Sequence, residues 1–151
     1  MRTVQDLLNS KPKAFNTIQP DARVIDALGM LNAVNLSYLV VMAGEEYKGI
    51  FCERDYSRNV ILKGRSSDST TVKEVMTVDL PIVHINDSVE HCMNVMNSHK
   101  TRYLLAYDAD KFAGIITIHD LLRQVIMNRE GVFDNTAASK LIDQQESDKI
   151  F

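Results

Sequence analysis

Apolar positions follow a helical period in one stretch of each half of the chain. In the first half they are spaced four, three and three residues apart, which is the spacing of one face of an amphipathic helix. These positions are Val24, Leu28, Leu31 and Val34. Asp21 precedes them and is expected near the N-cap, because a carboxylate there accepts from unpaired N–H groups. A matching stretch in the second half predicts another helix, which opens at Asp87-Ser88 and places Val89, Met93 and Met96 on one face.

A continuous apolar run follows each predicted helix and is too short to be a helix itself. The first run, over 38–42, is typical of a strand that is covered on both faces. A turn over 43–46 and a second predicted strand over 47–51 complete a hairpin. With a short strand over 15–19 and a helix over 53–62, the order of elements becomes β-α-β-β-α.

The same order is predicted twice, because the sequence repeats. Shifted by 65 residues, the chain aligns with itself without a gap, and ten of the 39 positions from Val24 to Leu62 are identical. The identities include Tyr38-Leu39 with Tyr103-Leu104 and Gly49-Ile50 with Gly114-Ile115. The second copy is therefore predicted to have strands over 82–85, 103–107 and 112–116 and a helix over 118–129.

The repeat divides the chain into four segments. The first copy covers 1–64 and the second covers 72–129, with a linker at 65–71 and a tail at 130–151 that has no counterpart. The stretch 63–70 contains no apolar residue, so we expect it on the surface. A unit of about 60 residues buries little surface alone. The predicted fold class is therefore α/β, with two pseudo-symmetric β-α-β-β-α units packed sheet face to sheet face.

The composition narrows the classes of function. The 151 residues are 45% apolar and 25% charged, which is ordinary for a globular protein and excludes disorder of the whole chain. No apolar run is long enough for a membrane span, and the first residues lack a secretory signal pattern. A formal charge of −3 predicts no nucleic-acid surface. Cys52 and Cys92 lack a nearby partner cysteine, so we expect free thiols and a cytoplasmic protein.

One seven-residue pattern closes each predicted hairpin. Over 114–120 it reads Gly-Ile-Ile-Thr-Ile-His-Asp, that is, a glycine, two apolar residues, a threonine, two variable residues and an aspartate. Over 49–55 it reads Gly-Ile-Phe-Cys-Glu-Arg-Asp, with Cys52 in place of the hydroxyl residue. Together with the repeat and the apolar strands that begin at Ser37 and Arg102, these motifs resemble a tandem pair of CBS domains, the cystathionine-β-synthase type of regulatory module. The resemblance covers 4–129.

This resemblance implies two clefts between the halves, which in many family members bind AMP, ADP, ATP, NAD(H) or S-adenosylmethionine. The motif's Asp accepts from the ribose hydroxyls, its Ser or Thr lies near the phosphate, and the base lies against the other copy. The implied ligand-binding site consists of Asp120, Thr117, His119, Ile116, Lys13, Ala14, Phe15, Ser37, Tyr38 and Leu39. A second, less favoured site consists of Asp55, Cys52, Arg54, Asp79, Leu80, Arg102 and Tyr103.

The chemistry of these side chains agrees with that assignment. A helix that begins at the motif offers unpaired N–H groups and the positive end of its dipole to a phosphate. A carboxylate is a natural acceptor for two vicinal ribose hydroxyls. Cys52 is a poor cap and a weak hydrogen-bonding group, so we expect one ligand per chain, at Asp120. The cationic candidates for a phosphate are Lys13, Arg54, Arg102 and, if protonated, His119.

These signals also have purely structural interpretations. Thr117 and Asp120 have the spacing of a helix capping box, which needs no ligand. Arg54 and Arg102 are equally suited to be solvated surface charges. Cys52 is either a small buried apolar residue or a redox-sensing thiol.

No pattern of catalytic residues occurs in the sequence, so we expect no enzyme and no required cofactor. No metal site is expected either, because no carboxylate or cysteine completes a set with His91 and His99. The function expected from the resemblance is that of a regulatory module, which senses an adenosine nucleotide and signals through a change of conformation or dimer geometry. It would form a homodimer and act on a protein target that the sequence does not identify. The alternative is a ligand-free module that only dimerises or docks.

Overall fold

A computed structural model gives the helices and strands in the predicted order. The structure describes residues 2–12, 16–34 and 36–127, and the predicted tail at 130–151 lies outside them. The helices are α1 (Val4–Asn9), α2 (Val24–Val34), α3 (Glu53–Asn59), α4 (Val72–Val75), α5 (Val89–His99) and α6 (Ile118–Met127). The strands are β1 (Thr17–Ile18), β2 (Tyr38–Ala43), β3 (Glu46–Cys52), β4 (Ile82–His84), β5 (Tyr103–Asp108) and β6 (Lys111–Thr117).

Two three-stranded sheets confirm the predicted α/β class. In the first, β1 pairs parallel with β2, which pairs antiparallel with β3. In the second, β4, β5 and β6 repeat this arrangement. Both hairpins have a register shift at the equivalent place, between Val41 and Met42 and between Ala106 and Tyr107. The sequence repeat is therefore also a repeat of backbone detail.

The two compact units of the structure do not coincide with the two sequence copies. One unit combines Met1–Lys13 with Leu80–Phe151, and the other is Ala14–Asp79. We call them the Asp120 unit and the Asp55 unit. Helix α1 belongs to the first copy in sequence but lies in the unit of the second, while α4 belongs to the second copy but lies in the unit of the first. The sequence boundaries at 1–64 and 72–129, and the packing of one sheet face on the other, stay predictions.

Helix α1 is held in the Asp120 unit by backbone hydrogen bonds. The N–H of Val4 donates to the carbonyl of Asp87 at 2.9 Å, and the N–H of Gln5 donates to the carbonyl of Ile85 at 2.9 Å. The apolar pattern does not predict α1 or α4, because both are too short to show a period. A capping signature does precede each of them: the N–H groups of Thr3 and Thr71 donate to the carboxylates of Asp6 and Glu74.

The linker and α4 cap helix α2, which corrects two expectations. Asp21 was expected near the N-cap, but α2 begins at Val24, whose N–H donates to the carbonyl of Thr70 at 2.9 Å. The N–H of Val72 in turn donates to the carbonyl of Ala22 at 2.8 Å. Thr70 is therefore buried, although the linker was expected on the surface, because its backbone satisfies a helix N-terminus.

Each unit has its own apolar core. In the Asp120 unit the predicted face of α5 is fully buried, which confirms Val89, Met93 and Met96 as core residues. In the Asp55 unit Val24 and Leu31 are buried and Leu28 is partly buried. Most of the fully buried side chains belong to the strands and helices that the apolar pattern predicts, but Val4, Leu7 and Val72 belong to α1 and α4. Among the described residues, no helix is both long and apolar enough to cross a membrane.

The helix after the first motif is shorter than predicted. It was expected to continue to residue 62, but α3 ends at Asn59 and a 3-10 turn over Ile61–Lys63 follows. Gly64 ends this turn in the left-handed region, at φ 71°, which suits a residue without a Cβ. In the second copy α6 continues to Met127, the last residue that the structure describes.

Candidate functional site

The second motif forms a complete capping box where β6 meets α6. The N–H of Thr117 donates to Oδ2 of Asp120 at 2.8 Å, and the N–H of Asp120 donates to Oγ1 of Thr117 at 3.2 Å. Both side chains are buried, and Asp120 is only 5% exposed. The structural interpretation of this pair is therefore correct, and Asp120 stabilises the start of α6 with no ligand present.

A lysine that sequence reasoning missed pairs with this carboxylate. Lys11 Nζ lies 2.9 Å from Oδ2 of Asp120 and 2.8 Å from the carbonyl oxygen of Ile115. Its side chain is 20% exposed. The contact spans more than a hundred residues of sequence, so no local pattern distinguishes Lys11 from the other lysines of the chain.

The other oxygen of Asp120 has no hydrogen-bond donor within the described part of the chain. Nη2 of Arg123 lies 3.7 Å from Oδ1, which is beyond hydrogen-bond range. Asp120 thus presents one engaged oxygen and one oxygen that can still accept.

The carboxylate of the first motif has donors at both oxygens. Oδ2 of Asp55 accepts from the N–H of Cys52 at 2.9 Å and from its thiol at 3.3 Å. Oδ1 accepts from the hydroxyl of Thr77 at 2.7 Å. Burial raises the pKa of Asp55, and the hydrogen bond from Thr77 opposes this shift.

The thiol in the first motif behaves as a buried structural group. Burial, together with the neighbouring charge of Asp55, raises the pKa of Cys52 to about 11. Burial likewise raises the pKa of Cys92 to about 12. A thiol with such a pKa is protonated at neutral pH and reacts slowly with oxidants, which argues against a redox sensor at Cys52.

Lys11 and Thr77 contact the motif aspartates of the two units at different carboxylate oxygens. Lys11 contacts Oδ2 of Asp120, which also accepts from the capping N–H, whereas Thr77 contacts Oδ1 of Asp55, which does not. Each follows the short helix that joins its unit from the other copy, and each contacts the motif aspartate. Lys11 also contacts Ile115, while the backbone N–H and C=O of Thr77 pair with those of Ile50, which is the counterpart of Ile115. The two sites therefore differ by a cation in one and a neutral hydroxyl in the other.

A glycine allows the close approach of Thr77. A Cβ on Gly49 would lie 2.6 Å from the carbonyl oxygen of Thr77, so a larger residue would have to displace the backbone at Thr77. Gly49 is thus needed so that the motif can pack against the segment around Thr77, whose hydroxyl donates to Asp55.

The structure groups some of the predicted site residues within the Asp120 unit. His119 is exposed at the start of α6 beside Asp120, whereas Ile116 is fully buried in the core of the unit. The carbonyl of Arg102 accepts from the N–H of Ile118 at 2.9 Å, and Tyr103 lies opposite Thr117 in the hairpin. Arg102 and Tyr103, which the prediction groups with Asp55 in the second site, lie in the same unit as the second motif.

The remaining predicted residues belong to the Asp55 unit or fall outside the description. Tyr38 lies opposite Cys52 in the hairpin, with Ser37 exposed before it and Leu39 buried after it. Arg54 is the second residue of α3, the helix that also contains Asp55. Asp79 ends this unit and Leu80 begins a segment of the other. The residues Lys13, Ala14 and Phe15 lie outside the described residues. The predicted grouping of residues from both units stays a prediction.

Within the described ranges, no three His, Cys, Asp or Glu side chains are close enough to hold a metal ion.

Comparison with known proteins identifies the family of these motifs. The family model described as "CBS domain" matches residues 72–126. A solved protein with CBS domains from Burkholderia ambifaria is 34% identical, with a TM-score of 0.78, and the match covers 88% of this chain and 100% of that one. The mitochondrial CBS domain-containing protein CBSX3 of Arabidopsis thaliana is 29% identical over 82% of this chain, which spans 65% of that protein's length. The structure of CBSX2 in complex with AMP shares the fold, with 24% identity, a TM-score of 0.69 and coverage of 85% of this chain and 98% of that one.

Proposed function

Since this chain belongs to the CBS-domain family, we propose that it is a regulatory module that binds an adenosine nucleotide at Asp120. The resemblance assigns the motif aspartate to the ribose hydroxyls and the motif threonine to the phosphate. Both residues are present in the second motif, where they form the start of α6. The AMP complex of CBSX2, a protein with the same fold, supports the ligand class.

The observation that carries the proposal is the unequal state of the two motif carboxylates. Oδ1 of Asp120 has no hydrogen-bond donor among the described residues, whereas both oxygens of Asp55 have one. A carboxylate oxygen has two lone pairs, so Oδ1 can accept from two vicinal hydroxyls without breaking the capping box. Asp55 would first have to release Thr77 or Cys52. One ligand per chain, at Asp120, follows from this difference.

The charges around Asp120 favour an anionic ligand over a neutral one. Lys11 and Arg123 both lie within 4 Å of the carboxylate, so two cations face one anion. The N-terminus of the ten-residue helix α6 adds the positive end of a dipole. A nucleotide would supply the missing negative charge through its phosphate and the missing hydrogen-bond donors through its ribose.

Regulation requires that the ligand bind one arrangement of the protein more tightly than another. We propose that binding at Asp120 changes the conformation or the dimer geometry presented to a protein target. Homodimerisation through a twofold axis is the simplest assembly of this kind. Asp120 serves as a hydrogen-bond acceptor in this proposal and transfers no proton, so the module is not an enzyme.

The complete capping box at Asp120 favours one alternative function. Because Thr117 and Asp120 already stabilise α6, their presence is also explained in a ligand-free module that only dimerises or docks. The two functions differ in whether the free oxygen of Asp120 is used.

Thermal unfolding with a ligand panel tests the proposal. The panel is AMP, ADP, ATP, NAD+, NADH and S-adenosylmethionine, with GMP as the control. A ligand at 100 times its dissociation constant adds about 2.7 kcal/mol, which is roughly 5–10 °C for a chain of this size. We expect such a shift with an adenosine compound in the wild type and in Asp55→Asn, and none in Asp120→Asn.

The asparagine variants are matched, because an amide oxygen can still accept from the backbone N–H of the capping box. A cooperative transition that no compound shifts would contradict the sensor and support the docking module. A shift that persists in Asp120→Asn would place the ligand elsewhere.

A further inference from the structure

Lys11 brings a positive charge into the Asp120 unit that the capping box does not require. The box is already complete between Thr117 and Asp120, and the helix needs no ammonium group to begin there. Lys11 Nζ nevertheless lies 2.9 Å from Oδ2 of Asp120, and Arg123 lies 3.7 Å from Oδ1. The two cations exceed the single carboxylate by one positive charge.

The Asp55 unit shows that the motif aspartate can be held without a cation. There the hydroxyl of Thr77 binds Oδ1 of Asp55 at 2.7 Å, and the N–H and thiol of Cys52 bind Oδ2. All of these donors are neutral. In the Asp120 unit Lys11 instead binds Oδ2, the oxygen that already accepts from the capping N–H, and adds a charge.

The ammonium group also has an unused donor. It carries three N–H groups in tetrahedral geometry. Two of them point to the carbonyl of Ile115 and to Oδ2 of Asp120, and Lys11 has no further hydrogen bond within the described residues. Because the side chain is 20% exposed, the third N–H can reach a group that arrives from solvent.

We propose that Lys11 determines the ligand class of this site, by donating to a phosphate and so selecting phosphorylated adenosine compounds over the uncharged nucleoside. The proposal rests on the proposed function, since it assumes that the ribose binds at Asp120. Lys11 keeps its contact with Oδ2 and holds the carboxylate in place, while Oδ1 accepts from the ribose. The phosphate then neutralises the excess positive charge. The compact ammonium group of lysine is well suited to bond to a carboxylate and a phosphate at the same time.

Calorimetric titration of the full chain with AMP and with adenosine tests this assignment. We expect the wild type to bind AMP at least about tenfold more tightly than adenosine, because charge-assisted hydrogen bonds are the strong ones. In Lys11→Met the preference should disappear, through weaker binding of AMP with little change for adenosine. Lys11→Arg retains the charge and should retain a preference. Lys111→Met removes an exposed lysine of the same unit and should behave as the wild type.

Salt provides a second readout that a merely structural role would not change. Raising the ionic strength should weaken binding of AMP to the wild type and to Lys111→Met, and should affect Lys11→Met less. Circular dichroism shows whether each variant is folded, and Lys11→Arg tests the charge if Lys11→Met is not.

The outcomes separate this proposal from the proposed function. If the wild type binds neither adenosine nor AMP, nor any other adenosine compound of the panel, both are wrong. If it binds the two equally, or if Lys11→Met retains the full preference, the site binds adenosine compounds but Lys11 does not select among them.

Discussion

The Asp120 and Asp55 units place an aspartate at the same point of the same backbone and then hold it in different ways. Asp120 pairs with the ammonium of Lys11 and retains one oxygen that can accept. Asp55 receives the hydroxyl of Thr77 on one oxygen and Cys52 on the other. The difference shows that a repeated motif does not imply a repeated site. The residue that follows the short helix of each unit, Lys11 after α1 or Thr77 after α4, determines whether the motif aspartate keeps an oxygen that can accept.

The two solutions have different electrostatic consequences. Around Asp55 the donors are neutral and the carboxyl is buried, so burial raises its pKa. Around Asp120 a cation compensates the charge directly. Removing the charge of Asp120 should therefore destabilise the protein at neutral pH, whereas removing the charge of Asp55 should stabilise it.

The largest effect is expected from Asp120→Asn. The amide can still accept from the N–H of Thr117, but the ammonium of Lys11 loses its anionic partner while it remains mostly buried. Breaking a buried pair from one side costs about 3 kcal/mol. Urea unfolding at neutral pH measures the loss, and Lys11→Met in the same background should recover part of it. A variant as stable as the wild type would mean that the ion pair contributes nothing.

The next effect concerns the approach of Thr77 to the first motif. Gly49→Ala places a methyl group 2.6 Å from the carbonyl oxygen of Thr77, so that backbone must move away. Such overpacking costs about 2 kcal/mol, and the hydroxyl of Thr77 would also withdraw from Asp55. Chemical denaturation gives the loss. Ser57→Ala, on the helix that follows the motif, is a control for substitution in this unit, and equal stabilities for the two variants would contradict the close contact.

Asp55→Asn should become more stable relative to the wild type as pH rises. The folded-state pKa of Asp55 is above its ordinary value of 3.8, so the folded protein holds this proton more tightly than the unfolded chain does. Its contribution to stability is present below the ordinary value and is lost as pH rises through the raised pKa. Asparagine does not titrate and can still bond to Cys52 and Thr77.

The measurement for this contrast is the free energy of unfolding at about pH 3.5, 5 and 7, a range that spans the titration of a carboxyl group. We expect Asp55→Asn to gain on the wild type as pH rises. A difference that does not depend on pH, or that falls, would show that the charge of Asp55 is not destabilising.

The smallest effect is expected from Cys52→Thr, which gives the first motif the hydroxyl of the second. Cys52 has the extended backbone of an N-cap, with φ −137° and ψ 171°, which a β-branched residue adopts readily. A hydroxyl is a better acceptor for the N–H of Asp55 than a thiol, so we expect a gain of about 1 kcal/mol. The reverse substitution, Thr117→Cys, should lose a similar amount. A loss in Cys52→Thr would mean that the buried thiol packs better than a hydroxyl in this place.

The parts of the fold that the sequence predicts are those with a local pattern. Continuous apolar runs predict the hairpins, and the repeat transfers that prediction to the second copy. The bounds of α2 and the exposure of Thr70 were wrong, because a backbone carbonyl from a distant segment caps the helix in place of Asp21. Helices α1 and α4 have only a capping signature, and nothing in the sequence says that each joins the unit of the other copy.

The candidate site follows the same rule. The motif predicts Thr117 and Asp120 together, because both lie within a single turn of chain. Lys11 and Thr77 contact their aspartates across 109 and 22 residues, and one lysine or threonine in a polar segment looks like any other. The difference between the two motif copies therefore depends on tertiary contacts. In the sequence it shows only as Cys52, which replaces the hydroxyl residue in the first motif.

The central claim is that only one of the two equivalent carboxylates binds a nucleotide, and the stoichiometry of AMP binding tests it most directly. Isothermal titration of the wild type should give one AMP per chain. The same stoichiometry should remain in Asp55→Asn and binding should be lost in a folded Asp120→Asn. Two AMP molecules per chain, or a single site that survives Asp120→Asn and is lost in Asp55→Asn, would contradict the account.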